Sequence, residues 1–233
     1  MISKDLKLKA KDLPGGVITS IAYQKRDKQR ASLFVDGEFA VGINVSTIEN
    51  FRLRKGDEMT SILAEKLADF DNRVSARRIA TKFINTRRRS EREVAQKLKG
   101  YDFDKEIIEE VTTSLKAIGL IDDLAFARSF IHDKLIGKPH SAKRLELDLK
   151  KKGIAKDVTA EALKEVAGDE SEEDRAYKTA EKKWQQLERR ETDIKKRKQK
   201  LFTFLASRGF AFDVIRIVIT KLSTDNDDEF DNA

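Results

Sequence analysis

The sequence predicts a mainly α-helical protein: three tandem three-helix repeats forming an elongated array, preceded by a small N-terminal β-hairpin or sheet module. Three observations carry that prediction. The first is an internal echo. Leu98, Leu149 and Leu205 are each followed at +4 by a turn residue (Asp102, Gly153, Gly209) and at +5 by an apolar residue (Phe103, Ile154, Phe210). A new apolar run begins at +9 (Ile107, Val158, Val214) and continues at +13 (Val111, Ala162, Val218) and +17 (Leu115, Val166, Leu222). A small unit copied in this way cannot bury its apolar face alone, so it stacks on its neighbours and offers a long surface rather than one catalytic pocket. The second observation is Asp36-Gly37 between the β-prone runs 31–35 and 39–43. A type I′ hairpin turn needs positive φ at both central residues, and this dipeptide tolerates it. The third is composition: 38% charged against 39% apolar residues suits thin, surface-rich helical modules better than one thick globule.

Residues 1–16 read as a lysine-rich flexible leader ending in Leu13-Pro14-Gly15-Gly16. Val17, Ile18, Ile21 and Tyr23 begin a three-stranded sheet in a β-rich module at 17–57, with a polar, basic connection at 24–30. So small a sheet needs cover, which a short helix near 46–51 supplies. A connecting helix at 58–73 carries Met59, Ile62, Leu63, Leu67 and Phe70, then breaks near Asp71-Asn72. The first repeat, 74–120, has Ala76, Ile79, Ala80, Phe83 and Ile84 on its first helix. Ser90-Glu91-Arg92-Glu93 is a capping box for its second helix, and Asp104 caps its third. Gly119 stops that helix, and Asp122 or Asp123 caps the next. The second repeat, 121–168, places Phe126, Ala127, Phe130 and Ile131 on its first helix, stops at Gly137-Lys138-Pro139 and restarts at Ser141. The third, 172–222, has Ala176, Ala180, Trp184 and Leu187 on one stripe and a longer, highly basic second helix. Residues 223–233 read as an acidic disordered tail.

The net charge is +7, and five tail carboxylates (Asp225, Asp227, Asp228, Glu229, Asp231) leave the remainder at about +12. A basic body of this kind favours a polyanionic partner, nucleic acid first. The cations come in runs: Arg77 and Arg78; Arg87, Arg88 and Arg89; Lys138 with Lys143 and Arg144; Lys150 and Lys151; and Lys195, Lys196, Arg197 and Lys198. These are the candidate partner- or DNA-binding residues. If the repeats stack regularly, such patches recur along one side and follow a phosphate backbone without reading bases. Taken singly, each run is also what a solvated helix face looks like. Trp184 and Tyr177 have the spacing of core residues rather than of stacking platforms.

No catalytic group is expected. The chain has no cysteine, its two histidines, His132 and His140, have no matching ligands, and neither a Gly-rich phosphate loop nor a nucleophile elbow occurs. The expectation is a non-enzyme with no metal and no cofactor. Adjacent Asp122 and Asp123 leave one alternative, a metal-dependent nuclease, but paired aspartates at a helix start more simply favour the helix dipole. With no signal sequence and no run of 18 apolar residues, the expected compartment is the cytoplasm.

One stretch is more specific. Gly119-Leu120-Ile121-Asp122-Asp123-Leu124-Ala125-Phe126-Ala127 resembles the hallmark junction between the first and second repeats of the RecX family, bacterial regulators of the RecA recombinase. Arg87, Ser90, Glu93 and Leu98 upstream, and Gly137, Arg144, Leu149 and Gly153-Ile154 downstream, extend the resemblance over about residues 74–222. The hairpin module is similar to the extra N-terminal region of some members. Ser141-Ala142 and Asp148-Leu149 depart from the family's more basic helix start and its glutamate–leucine pair. In that resemblance Gly119, Leu120, Asp122, Asp123, Phe126 and Ala127 form the structural motif. It implies a non-enzymatic modulator that lies in the groove of a RecA filament on single-stranded DNA; the expected state of the protein is a monomer. Its action there is to inhibit the ATPase and strand exchange by blocking growth or promoting disassembly. Double-stranded DNA, bound without sequence preference, is a further partner. The alternative is a nonspecific nucleic-acid-binding helical repeat protein with no recombinase partner.

Overall fold

The computed structural model describes residues 7–137, 140–168 and 170–224. It contains a 3-10 turn (Ala10–Asp12), β1 (Gly16–Tyr23), β2 (Arg30–Val35), β3 (Glu38–Asn44), α1 (Val45–Phe51), β4 (Glu58–Met59) and α2 (Ser61–Ile84). Then come α3 (Glu91–Lys99), α4 (Lys105–Ala117), α5 (Asp123–Gly137), α6 (Ala142–Lys151), α7 (Lys156–Ala167), α8 (Glu172–Glu188), α9 (Ile194–Ser207) and α10 (Phe212–Thr224). They form two compact units, Met1–Asp122 and Asp123–Ala233.

In the first unit, Asp36 and Gly37 have φ of 51° and 90°, and the hairpin they close pairs Val35 with Glu38. β2 alternates strictly: Ala31, Leu33 and Val35 are buried, while Arg30, Ser32 and Phe34 face the other way. The sheet has four strands rather than three, in the order β3-β2-β1-β4, all antiparallel. The added strand is only Glu58–Met59, paired with Val17 and Gly16. Met59, expected to start a helix, is therefore a buried strand residue, and Thr60 caps α2 by accepting a hydrogen bond from the Leu63 amide at 3.2 Å. Within residues 7–16 the expected flexible leader is anchored by two buried leucines. Leu8 and Leu13 join the core of Ile18, Leu33, Ile43 and Leu67, and Met1–Leu6 lie outside the described residues.

The expected break at Asp71-Asn72 is absent: α2 runs unbroken through Ser61–Ile84. Its buried positions, 64, 67, 68, 71, 72, 75, 76, 79 and 80, form one continuous stripe. Ala64, Leu67 and Ala68 pack under the sheet, and Ala76, Ile79 and Ala80 belong to the core of the first repeat. The polar middle of the stripe ties distant segments to the helix. Asp71 Oδ1 accepts from the Asn44 amide (2.7 Å) and from the Thr47 hydroxyl (2.8 Å). Asn72 accepts from the Leu8 amide and donates to the Leu8 carbonyl, both at 2.8 Å. Asp and Asn weaken helices when their side chains compete for local backbone; here they bond backbone far away in sequence.

The repeat offsets are realised as turns. Asp102, Gly153 and Gly209 all have positive φ (64°, 85° and 84°). Leu98, Leu149 and Leu205 are fully buried, and Phe103, Ile154 and Phe210 follow them into three separate cores. Ser90 and Ser141 are buried N-caps whose hydroxyls accept from the amides of Glu93 and Arg144. Asp104 occupies the N-cap position of α4 without a side-chain cap bond; its carboxylate pairs with Lys7 at 2.9 Å instead.

In the second unit, α5–α7 surround Phe126, Ile131, Leu145 and Leu149, and α8–α10 surround Trp184, Leu201, Leu205 and Val218. Trp184 and Tyr177 are core residues here. The two repeats meet at a turn: Ser141 donates its hydroxyl to the Gly209 carbonyl (2.7 Å) and its amide to the Arg208 carbonyl (3.1 Å). A Cβ on Gly209 would come within 2.8 Å of the Arg144 Cβ, so this contact requires glycine for space as well as for φ.

Candidate functional site

The junction stretch is a structural device. Gly119 has φ +70°, its amide bonds the Lys116 carbonyl and the Leu120 amide bonds the Leu115 carbonyl, which is the Schellman closure of a helix C-terminus. Ile121 then closes the first repeat's core, while Phe126 and Ala127 open the second's. α5 begins at Asp123, directly after Asp122. Among the described residues no three His, Asp or Glu side chains are placed to share a metal ion, and no helix is long and apolar enough to cross a membrane.

The cation runs divide largely by side-chain type. Arg77, Arg78, Arg87 and Arg89 of the first unit are engaged internally. Arg77 donates to the Ser114 hydroxyl at 2.8 Å, and Arg78 pairs with Asp27 at 2.6 Å, which holds that carboxyl below its ordinary value. Arg87 makes a two-pronged pair with Glu93 (3.1 and 3.2 Å). Arg89 stacks 3.7 Å from the centre of the Phe83 ring and bonds Thr86, and its desolvation there pushes the guanidinium below the usual arginine value. In the second unit Arg144 pairs with Asp148 (3.3 Å), and Arg197 with Glu188 (3.5 Å) while lying over Trp184. By contrast, the side chains of Arg88, Lys143, Lys150, Lys151, Lys195, Lys196 and Lys198 have no hydrogen-bond or ion-pair partner among the described residues, and all but half-buried Lys198 are exposed. Lys138 lies outside the described residues.

Superposing the repeats on their buried leucines shows where free cations recur. Lys143 and Lys150 stand at −6 and +1 from Leu149; Arg92 and Lys99 stand at −6 and +1 from Leu98. All four are exposed and lack an ion pair or side-chain hydrogen bond among the described residues. They sit on the middle helix of their repeat, seven residues apart and so on one face. Neither Arg92 nor Lys99 falls in a run of cations, so clustering missed them, although the repeat offset marks both. The third repeat departs from this pattern. α9 starts four residues earlier relative to its leucine, capped by Asp193; Lys195 and Lys196 occupy that added stretch of helix, and Lys198 follows directly after it.

Known proteins share this architecture. Family models match along the whole of it: the regulatory protein RecX N-terminal domain at residues 16–60, and the first, second and third RecX three-helix domains at 76–115, 122–163 and 170–219. The chain belongs to the RecX family. A regulatory protein RecX of Clostridium botulinum (strain Alaska E43 / Type E3) is 32% identical across 88% of this chain and 95% of its own. One of Clostridium beijerinckii is 32% identical across 91% and 99%. A crystal structure of regulatory protein RecX aligns with a TM-score of 0.61 at 26% identity, covering 88% of this chain and 98% of its own. RecX from Lactobacillus salivarius, at 24% identity, shares the fold (TM-score 0.56) over 66% of this chain. This RecX-family chain thus combines the N-terminal domain with all three helical domains, in a family of regulatory proteins.

Proposed function

We propose that this protein regulates the RecA recombinase, binding the RecA–single-stranded DNA filament and lowering its ATPase, strand exchange and assembly. RecX-family membership supports a regulatory role. The observation that carries the DNA part is the set of free cations on the outer faces of the middle helices: Arg92 and Lys99, Lys143 and Lys150, and Lys195, Lys196 and Lys198. They have no internal work, since the buried leucines of the same helices hold each helix in place. Lysines without a partner are the form in which charge neutralises phosphates without sequence preference, on single-stranded and on double-stranded DNA. The protein acts as a cytoplasmic monomer without catalytic residues.

The test is the DNA-dependent ATPase of cognate RecA on preformed single-strand filaments, titrated with this protein. Inhibition well below one molecule per RecA is the expected result, weakened at least tenfold when Arg92, Lys99, Lys143 and Lys150 are all replaced by Ala. No effect on the ATPase, together with tight, salt-sensitive binding to bare DNA, would reduce the function to general nucleic-acid binding.

A further inference from the structure

We propose that a second, separate site for single-stranded nucleic acid lies in the first unit, in the groove between the N-terminal sheet and the first repeat. The groove holds about 1350 Å³ and is walled by the β1–β2 loop, the start of α1, the C-terminal half of α2 and the end of α3. It does not depend on the middle-helix cations on which the filament reading rests.

Its electrostatics are one-sided. Seven lining side chains are cationic and one, Asp27, is acidic. Asp27 is already committed: it bonds Arg78, and its other oxygen caps the loop by accepting from the Gln29 amide at 3.1 Å. That leaves Arg26 and Lys28 on the loop wall and Lys82 on the α2 wall, all exposed and without a hydrogen-bond or ion-pair partner among the described residues. Between the walls the floor is apolar, with Val45, Val74 and Ile79. At the α3 end Tyr101 is half-exposed, with the Lys97 ammonium 5.2 Å from its ring centre.

One lining cation, Arg30, is set into the wall beside the carboxylates of Asp71 and Asp27. Arg30 is half-buried, which pushes its guanidinium below the ordinary arginine value, and its Nη1, shielded from solvent, has no partner. Burying a cation and orphaning a donor both oppose folding. The chain nevertheless makes room for it: a Cβ on Gly42 would sit 3.2 Å from Arg30 Nη2, which bonds the Gly42 carbonyl.

Cationic walls, an apolar floor and an aromatic end describe a single strand: phosphates follow the walls while sugars and bases cover the floor and stack. A duplex turns its bases inward and would leave the floor unfilled. An acidic peptide would use the walls but leave the aromatic end idle.

The probe is a fluorescein-labelled oligothymidylate of about 20 nucleotides, longer than the roughly 4–16 that such grooves cover. Anisotropy is measured with the full chain at several salt concentrations and without recombinase, so the outcome is independent of the ATPase test. Replacing Arg26, Lys28 and Lys82 together with Glu should weaken binding at least tenfold and flatten the salt slope by about 2, at about 0.7 for each phosphate no longer neutralised. The melting temperature should hold, because these side chains have no partner among the described residues. Wild-type affinity and slope in the triple variant would overturn the proposal. If that variant keeps its oligonucleotide affinity but loses binding of poly-glutamate, the groove belongs to an acidic protein instead. A second measurement needs no variant. Photocrosslinking of iododeoxyuridine-substituted oligonucleotide to the wild-type chain should label Tyr101 or the 24–30 loop; crosslinks confined to residues 143–200 would also overturn it.

Discussion

Two short basic runs, Arg87–Arg89 before α3 and Lys195–Lys198 at the start of α9, look alike as charge but not as structure. In the first, Arg87 grips Glu93 and Arg89 lies on Phe83, leaving Arg88 in solvent. In the second, Arg197 is paired with Glu188 and the three lysines are free. The planar guanidinium finds carboxylates, carbonyls and rings to match its fork, whereas an ammonium on a flexible stem keeps its hydration. Within these two runs, counting cations therefore overstates the surface available to a phosphate at the arginines and describes it well at the lysines.

The scaffold beneath the two runs should respond equally. Leu98→Ala, Leu149→Ala and Leu205→Ala each remove a fully buried side chain at the same repeat position, and each should cost about 2–5 kcal/mol in chemical denaturation. A much smaller loss at Leu205 would show that the third repeat is packed differently from the first. Next in size is Asp71→Ala, which orphans the Asn44 amide and the Thr47 hydroxyl and should cost about 2–4 kcal/mol. Asp71→Asn, which keeps an acceptor oxygen, should recover part of that loss.

The runs themselves give smaller, opposite effects. Arg89→Ala should lower stability by about 1–2 kcal/mol through the lost stacking and hydrogen bonds, whereas Lys196→Ala should stay within about 0.5 kcal/mol. Binding of single-stranded DNA should show the reverse: replacing Lys195, Lys196 and Lys198 with Ala flattens the salt slope by about 2, and Arg87→Ala leaves it unchanged. The smallest effect is a pH dependence. Asp27 has its carboxyl lowered from 3.8 by the Arg78 hydrogen bond. A lowered pKa contributes stability above the unfolded value, and that contribution is lost as pH falls through the folded one. The melting-temperature gap between wild type and Asp27→Asn should thus persist at neutral pH and close below about pH 3.8. A gap that stays constant on acidification would mean that the Arg78 pair does not hold the loop.

Much of this was legible in the chain. The +4 turn residues, the buried leucines and the Asp36-Gly37 hairpin are local or periodic signals, and each was found where its chemistry places it. The continuity of α2 was hidden because Asp71, Asn72 and Ser75 fill the middle of its buried stripe with polar groups whose partners lie 24–64 residues away. The four-stranded sheet was hidden because β4 is two residues long, below any periodicity. Arg92 and Lys99 were visible only by aligning repeats, because each stands alone among acidic or neutral neighbours or at a helix end.

The repeat unit, its turns, the Ser90 and Ser141 caps and the family follow from residue types at fixed short spacings. Which cations are free is a property of the folded chain. Whether an arginine has a partner depends on what the folded chain brings within a few ångströms of it, as with Asp27 beside Arg78, and no spacing along the chain encodes that.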